Sequence, residues 1–257
     1  MKAIDVILNR KTIRKFDETP ITDEMIVKIV EAGIRAPSAC SLQTYSIIWI
    51  KEKERRKKLW ESCGKQSWIL DAPLTLCVCS DVRKVSRMMG ALDFESSLEE
   101  GMGYRWKLFS LIDAALVAQN MVIASESFGL GSVYIGGAMA NRKVIEALNL
   151  PRGVLPISLL CIGYPSENPP LRPRHPLENI LFIDKYRDLT IKELENSIRC
   201  MTEKLVKEQY YVNYEMGDRN YTWIDNVKSK MVPDRKSEER LIKLLKQAGF
   251  TFSESIP

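Results

Sequence analysis

The sequence predicts an α+β fold with a helical arm at its C-terminal end. Three observations carry that expectation. Short stretches rich in β-branched and aromatic residues recur at 45–52, 74–81, 132–137 and 157–165. Segments with helical periodicity occupy the intervals between them. From residue 191 the pattern changes to a repeating apolar seam. The implied organisation is a core over 1–189 and a helical arm over 190–257.

The elements follow in order. In ITDEMIVKIVEAGIRAPSA, Thr22 is an N-cap, and the acids of the first turn suit the positive helix end. Ile26, Ile29, Val30 and Gly33 share one helical face, and Pro37 ends the helix because the residue before a proline avoids the helical region. YSIIWIKE reads as a buried strand. LTLCVCSD is a second strand, which places Cys77 and Cys79 on one face. LFSLIDAALVAQNMVIASESFGLG (108–131) is helical and apolar on nearly every side, as at a core centre or a subunit interface. SVYIGG is a third strand running into a glycine pair. ANRKVIEALNLP is a short helix stopped by Pro151, and ISLLCIGYP is the fourth strand. Five prolines within 165–176 make the next connector extended and stiff. In the arm, Ile191, Leu194, Ile198, Met201 and Leu205 form a seam for packing on another helix, and SEERLIKLLKQAGF is the last helix.

Composition narrows the function. A net charge of +5 over 257 residues favours anionic ligands mildly and falls short of a nucleic-acid footprint. Six scattered cysteines and one histidine, His175, argue against a zinc site and for reduced thiols in a cytoplasmic protein. No apolar run is read as a membrane span, and the N-terminal apolar stretch is too short for a signal peptide. No G-x-S-x-G elbow, P-loop or G-x-G-x-x-G follows a strand. A Cys40–His175 nucleophile pair would have to draw its histidine from the proline connector.

Three polar clusters remain. NRKTIRKF (9–16) packs Arg10, Lys11, Arg14 and Lys15 into six positions. PSACSLQ (37–43) is a turn of small residues after a helix. GYPSENPPLRPR presents Arg172 and Arg174 at a spacing of two, which sends both side chains to one side of an extended chain. Guanidinium groups recognise phosphate in a bidentate fork. Gly136 and Gly137 let backbone approach a flat ligand closely.

Taken in order, NRKTIRKF, APSACSLQ, GLGSVYIGG and CIGYPSENPPLRPRHPLE resemble the successive motifs of the FMN-dependent nitroreductase superfamily. RPRHPLE, the long arm, DRNYTW and QAGF are similar to its NADPH-dependent nitroreductase and flavin-reductase branch. The resemblance spans about residues 5–252. It implies a central mixed, mostly antiparallel β-sheet flanked by helices, with the arm wrapping a partner in a homodimer. It also implies an FMN site. Arg10, Lys11, Thr12 and Arg14 match the segment that holds the flavin, with Lys11 and Arg174 near the phosphate and Arg14 at the phosphate or ribityl chain. Ser38 and its turn match a segment that bonds ribityl and phosphate oxygens. Ile135, Gly136 and Gly137 match the backbone edge along the isoalloxazine, and Arg172 faces its pyrimidine end. Either Lys65 or Gln66 stands where the family offers a glutamine, and the chemistry favours Gln66.

Two positions depart from the pattern. Arg10 stands where histidine is common, and Thr12 where serine is common. Arg219 matches one NADPH-recognising arginine of the branch, but Tyr214 stands near the place of another, so the choice between NADPH and NADH is open. The implied activity is ping-pong hydride transfer from NADPH or NADH through FMN to a small oxidised acceptor: a nitroaromatic, a quinone or a flavin. No catalytic side chain is called for. The alternative is a non-enzymatic flavin store or redox sensor on the same fold.

Overall fold

The computed structural model describes residues 2–92, 103–214, 221–231 and 234–250. The chain divides into two compact units, one formed by Met1–Glu167 with Arg235–Pro257, the other by Asn168–Asp234. The first unit holds helix α1 (Ala3–Asn9), α2 (Asp23–Ile34), strand β1 (Tyr45–Trp49), α3 (Lys53–Ser62), α4 (Trp68–Asp71), β2 (Leu74–Asp81) and α5 (Val82–Gly90). It continues with α6 (Tyr104–Ser127), β3 (Gly131–Ile135), α7 (Arg142–Ala147) and β4 (Val154–Gly163). The second unit holds α8 (Ile191–Lys207), α9 (Tyr210–Tyr214) and α10 (Trp223–Met231), and α11 (Arg235–Gln247) returns to the first.

The sheet order is β1-β2-β4-β3, and every neighbouring pair is antiparallel. Among the described residues, the expected parallel component is a single-residue bridge between Thr12 and Ser132. Alternation along β2 and β4 divides the core in two. Leu74, Leu76, Val78, Leu160 and Ile162 face α2 and α6, where they meet Ile26, Ile29, Val117 and Met121. Cys77, Cys79, Leu159 and Cys161 face the other way, toward Leu59 of α3 and Val144 of α7. The Cys77 and Cys79 sulfurs lie 3.7 Å apart as free thiols, as the C-x-C spacing implies. Each fully buried Val, Leu or Ile contributes roughly 1.5–3 kcal/mol, so these two layers hold the first unit together.

Local signals place the helices. Thr22 caps α2 by accepting the Met25 N–H, and Asp81 caps α5 by accepting the Lys84 N–H at 2.9 Å. Thr190 and Glu193 cap α8 reciprocally. Three expectations need correction. The stretch 45–52 was expected to be a buried strand, but β1 is an edge strand whose residues after Tyr45 are half-exposed. The long apolar helix, α6, is not buried all round in one chain. Its inner face carries Ala114, Val117, Ala118 and Met121, while Leu108, Phe109, Ile112 and Leu116 are exposed. α6 is also long and apolar enough, by length and composition, to cross a membrane, contrary to the sequence expectation; here its inner face lies on the sheet and α2.

The compact boundary lies between Glu167 and Asn168, ahead of the composition change at 190. Leu244 of α11, with Ala248 and Phe250 just after it, packs with Val82, Ala140 and Leu155, and the Gly153 N–H donates to the Ala248 carbonyl at 3.0 Å. In the second unit, Leu205, Tyr210 and Tyr211 form a small core with Tyr214, Tyr221 and Trp223 against it. At the start of the seam, Ile191, Leu194 and Ile198 are exposed, whereas Leu205 is buried.

Candidate functional site

The basic segment is fixed by its backbone. α1 ends at Asn9, and Arg10 leaves it in an extended conformation. Thr12 bridges Ser132, and the Ile13 N–H donates to the Ser132 carbonyl at 3.0 Å. The Ile13 side chain is buried against Gly131, where a Cβ would lie 2.4 Å from Ile13 Cγ1. Glycine is therefore what allows the segment to lie so close to the strand. Alternation then turns Thr12 and Arg14 away from Ile13. Glu167 accepts the Arg14 N–H at 2.5 Å and the Lys15 N–H at 3.2 Å, and the Asp17 N–H donates to Tyr164 at 2.8 Å. The Arg14 guanidinium lies 5.6 Å from the centre of the Trp68 ring.

Two further predicted pieces meet along the same β3 edge. Asn141 Nδ2 donates to the Ser62 carbonyl at 3.0 Å and to the Gly137 carbonyl at 2.9 Å, clamping the end of α3 to the glycine pair. Cys63 packs against Gly137, with its Cα 3.7 Å from where a Gly137 Cβ would stand. Gly136 faces open space, with no atom within 4 Å of that position. After Cys63 the chain turns through Gly64 and Lys65, both left-handed. Lys65 directs its ammonium at the Trp60 ring, 5.7 Å from its centre, while Gln66 Nε2 donates to the Cys63 carbonyl at 2.7 Å. The segment 10–14, the Gln66 turn and Ile135–Gly137 are thus neighbours.

Ser38 is not among them. Its Oγ accepts the Gln43 N–H at 3.2 Å, in a turn where Cys40, Ser41 and Gln43 have φ of 49°, 53° and 51°. Left-handed backbone is unfavourable by roughly 1–2 kcal/mol per residue outside glycine. Asp113 of α6 offsets part of this by accepting the Ala39 N–H at 3.1 Å and the Thr44 hydroxyl at 2.8 Å. Glu126, which feels the charges of Arg10 and Lys11, stands in the last turn of that helix. At 1.5 Å per residue the two anchor points are about 20 Å apart. Within one chain, the Ser38 turn is anchored near the middle of α6 and the Arg10–Arg14 segment lies toward its C-terminal end.

Sequence reasoning passed over Glu126, Ser132, Asp113 and Asn141. Burial pushes the Glu126 carboxyl up to about 7, although Arg10 and Lys11 pull it down. Its Oε1 and the fully buried Ser132 hydroxyl have no hydrogen-bond partner among the described residues. A signal for Glu126 existed. It is an acid in the last turn of a helix, where the macrodipole disfavours negative charge.

In the second unit, Arg172 stacks its guanidinium 4.7 Å from the centre of the Tyr210 ring. Arg174 turns back and donates to the Pro173 carbonyl at 2.9 Å. The two arginines therefore have different local partners despite their spacing of two. His175 meets Trp223 edge-on, with ring centres 5.9 Å apart, so Trp223 packs within its own unit. Arg219 lies outside the described residues.

A fixed row of cations, an unpaired buried hydroxyl and an open glycine turn fit a phosphorylated, flat cofactor. Residues 7–164 match the sequence pattern of the Nitroreductase family. The chain is 30% identical over 235 residues to the NADPH-flavin oxidoreductase of Vibrio harveyi, covering 91% of this chain and 92% of that protein. It is 30% identical to the FMN reductase (NAD(P)H) of Bacillus subtilis over 97% of this chain and 98% of that one. Its fold superposes on the solved structure of B. megaterium NfrA2 with a TM-score of 0.87, at 29% identity over 99% of this chain and 100% of that one. The class defined by this fold and site is a flavin-type oxidoreductase. The chain belongs to the nitroreductase family.

Proposed function

We propose that this chain is an FMN-dependent oxidoreductase that takes reducing equivalents from NADPH or NADH and passes them to a small oxidised acceptor. The acceptor class is a nitroaromatic, a quinone or a free flavin. The observation that carries this reading is the meeting of Arg10–Arg14, the Gln66 turn and Ile135–Gly137 along the β3 edge. FMN, when bound, supplies the hydride chemistry. Lys11 and Arg14 hold its phosphate and ribityl chain by charge-assisted hydrogen bonds, with Arg10 and Thr12 beside them. The Ile135–Gly137 backbone and Gln66 border the ring. Arg172, Arg174 and Arg219 enter this reading through the motif alone, as the pyrimidine-side cation, the second phosphate cation and the nicotinamide-nucleotide contact.

The working form proposed here is a homodimer. One chain exposes Leu108, Phe109, Ile112 and Leu116 on α6, together with Ile4, Ile7 and Leu8 on α1. Exposed apolar residues in such number favour a two-fold partner. The position of the Ser38 turn supports the same arrangement, since it reaches a flavin at Arg10–Arg14 if a second copy contributes it.

The test is an absorbance spectrum of purified protein, followed by anaerobic addition of NADPH or NADH and then of a quinone or nitroaromatic. A yellow protein that bleaches and recovers is expected. A colourless protein that takes up no added FMN overturns the reading. A yellow protein that no nicotinamide nucleotide bleaches leaves the flavin-store alternative.

A further inference from the structure

We propose that Glu126 is a proton-coupled gatekeeper of the phosphate subsite: it is the counter-ion of Arg10 and Lys11 in the flavin-free protein, and it takes up a proton when a phosphate monoester binds those cations. The inference rests on the FMN reading above and adds a coupling to that site.

The geometry comes first. Glu126 sits in the final turn of α6, at the negative end of the helix. Its Oε1 is buried and has no hydrogen-bond partner among the described residues. The charges acting on it are Arg10 first and Lys11 second, both from the segment that follows α1. From β3, Tyr134 also feels the charge of Arg10, and its hydroxyl donates to Gln119 Oε1 of α6 at 3.4 Å; burial holds it up at about 12, so it is neutral at working pH. Lys28 of α2 lines a separate groove with Val6, Asn120, Ser127 and Phe128, and Glu126 is not part of that lining. Among the described residues, Arg10 and Lys11 are the charges that favour the ionised Glu126 carboxyl against desolvation and the helix dipole.

Of those two cations, Lys11 belongs to the proposed phosphate subsite and Arg10 flanks it. A phosphate monoester brings a charge of about −1.5 to −2 near pH 7. Two anions then compete for one pair of cations, and a neighbouring like charge raises a carboxyl pKa. The Glu126 carboxyl already stands at about 7. A small additional push neutralises it, and the protonated acid gains an O–H donor in place of a repelling charge. Binding of FMN then consumes a proton from solvent, whereas binding of riboflavin, which lacks the phosphate, does not.

The experiment titrates flavin-free protein with FMN and with riboflavin at pH 7.5, by calorimetry in two buffers of different ionisation enthalpy. FMN should bind with uptake of about half a proton or more, and riboflavin with almost none. In Glu126→Gln the uptake should vanish, and the ratio of wild-type to variant Kd for FMN should grow roughly three- to eightfold between pH 7.5 and 8.5. Glu126→Ala provides the same measurement if the glutamine variant fails to fold. Tight FMN binding by wild-type protein without proton uptake overturns the inference and leaves the flavin reading intact. Equal uptake by wild type and variant also overturns it. Failure of FMN to bind either protein sinks the flavin reading itself.

Discussion

Thr12 and Ser132 form a parallel bridge between a loop and the edge strand β3. Through it, a run of cations that would otherwise be a solvated face is held in register with a strand leading to Gly136 and Gly137. The bridge depends on the contact beneath it, between Ile13 and Gly131.

Gly131→Ala should therefore disturb the site from below. The added Cβ would stand 2.4 Å from Ile13 Cγ1, so the segment must shift. Overpacking of this kind costs typically about 1–3 kcal/mol. A lower Tm and a lower flavin-to-protein absorbance ratio are expected together. Combining it with Ile13→Ala, which makes room, should restore part of the flavin content. A single variant with wild-type Tm and full flavin would show that this contact does not position the cations.

Arg14→Ala removes one charge-assisted contact to the proposed cofactor. The loss should be roughly 1.5–3 kcal/mol, which is about ten- to a hundredfold in Kd for FMN. Lys11→Ala with Arg174→Ala should give a folded, largely colourless protein, judged by circular dichroism beside the visible spectrum. Full flavin retention in the double variant would remove both residues from the phosphate site.

Ile112→Glu tests assembly. Ile112 is 53% exposed on the outer face of α6 in one chain, and it is adjacent in sequence to buried Asp113, which holds the Ser38 turn. Intact protein should sediment near 59 kDa, about twice the 29.4 kDa chain. The variant should shift toward monomer and lose flavin in parallel, because a charge in a packed two-fold interface is repeated in both copies. An intact monomer that is flavin-loaded and active would refute the shared-site arrangement.

The pH dependence of the flavin-free protein follows from Glu126. Its folded-state pKa, about 7, lies above the ordinary value of 4.5. Between those values the folded chain binds more protons than the unfolded one, so stability falls as pH rises. The contribution is fully present below about pH 4.5 and is lost as pH passes through 7. Glu126→Gln should match wild type in Tm near pH 4.5 and exceed it at pH 8, as read by thermal melts of the flavin-free proteins. A gap that is constant with pH would mean that Glu126 does not titrate in this range.

Much of this protein was determined by local chemistry, which a sequence displays directly. Thr22 before DEM marks a helix start because a hydroxyl caps free N–H groups wherever it precedes them. The alternation of LTLCVCSD sorts Cys77 and Cys79 to one face before any partner strand is known, because the pleat has a period of two. The run of cations in NRKTIRKF and the glycine pair of YIGG are visible in the sequence for the same reason, and their role in binding is part of the proposal. Which pieces meet was decided by the tertiary structure. Strand order made β1 an edge and left it half-exposed, although its composition reads as core. Arg14 and Trp68 face each other because the chain returns past β3. Glu126 feels the charge of Arg10, over a hundred positions earlier in the chain, only because the segment after α1 is bridged to Ser132, shortly after the end of α6. The Ser38 turn, near the basic segment in sequence, is held about 20 Å along α6 from Glu126 by its bonds to Asp113. Propensity and period act over a few residues, whereas burial, desolvation and charge depend on distance in space, which the packing of α6 on the sheet sets.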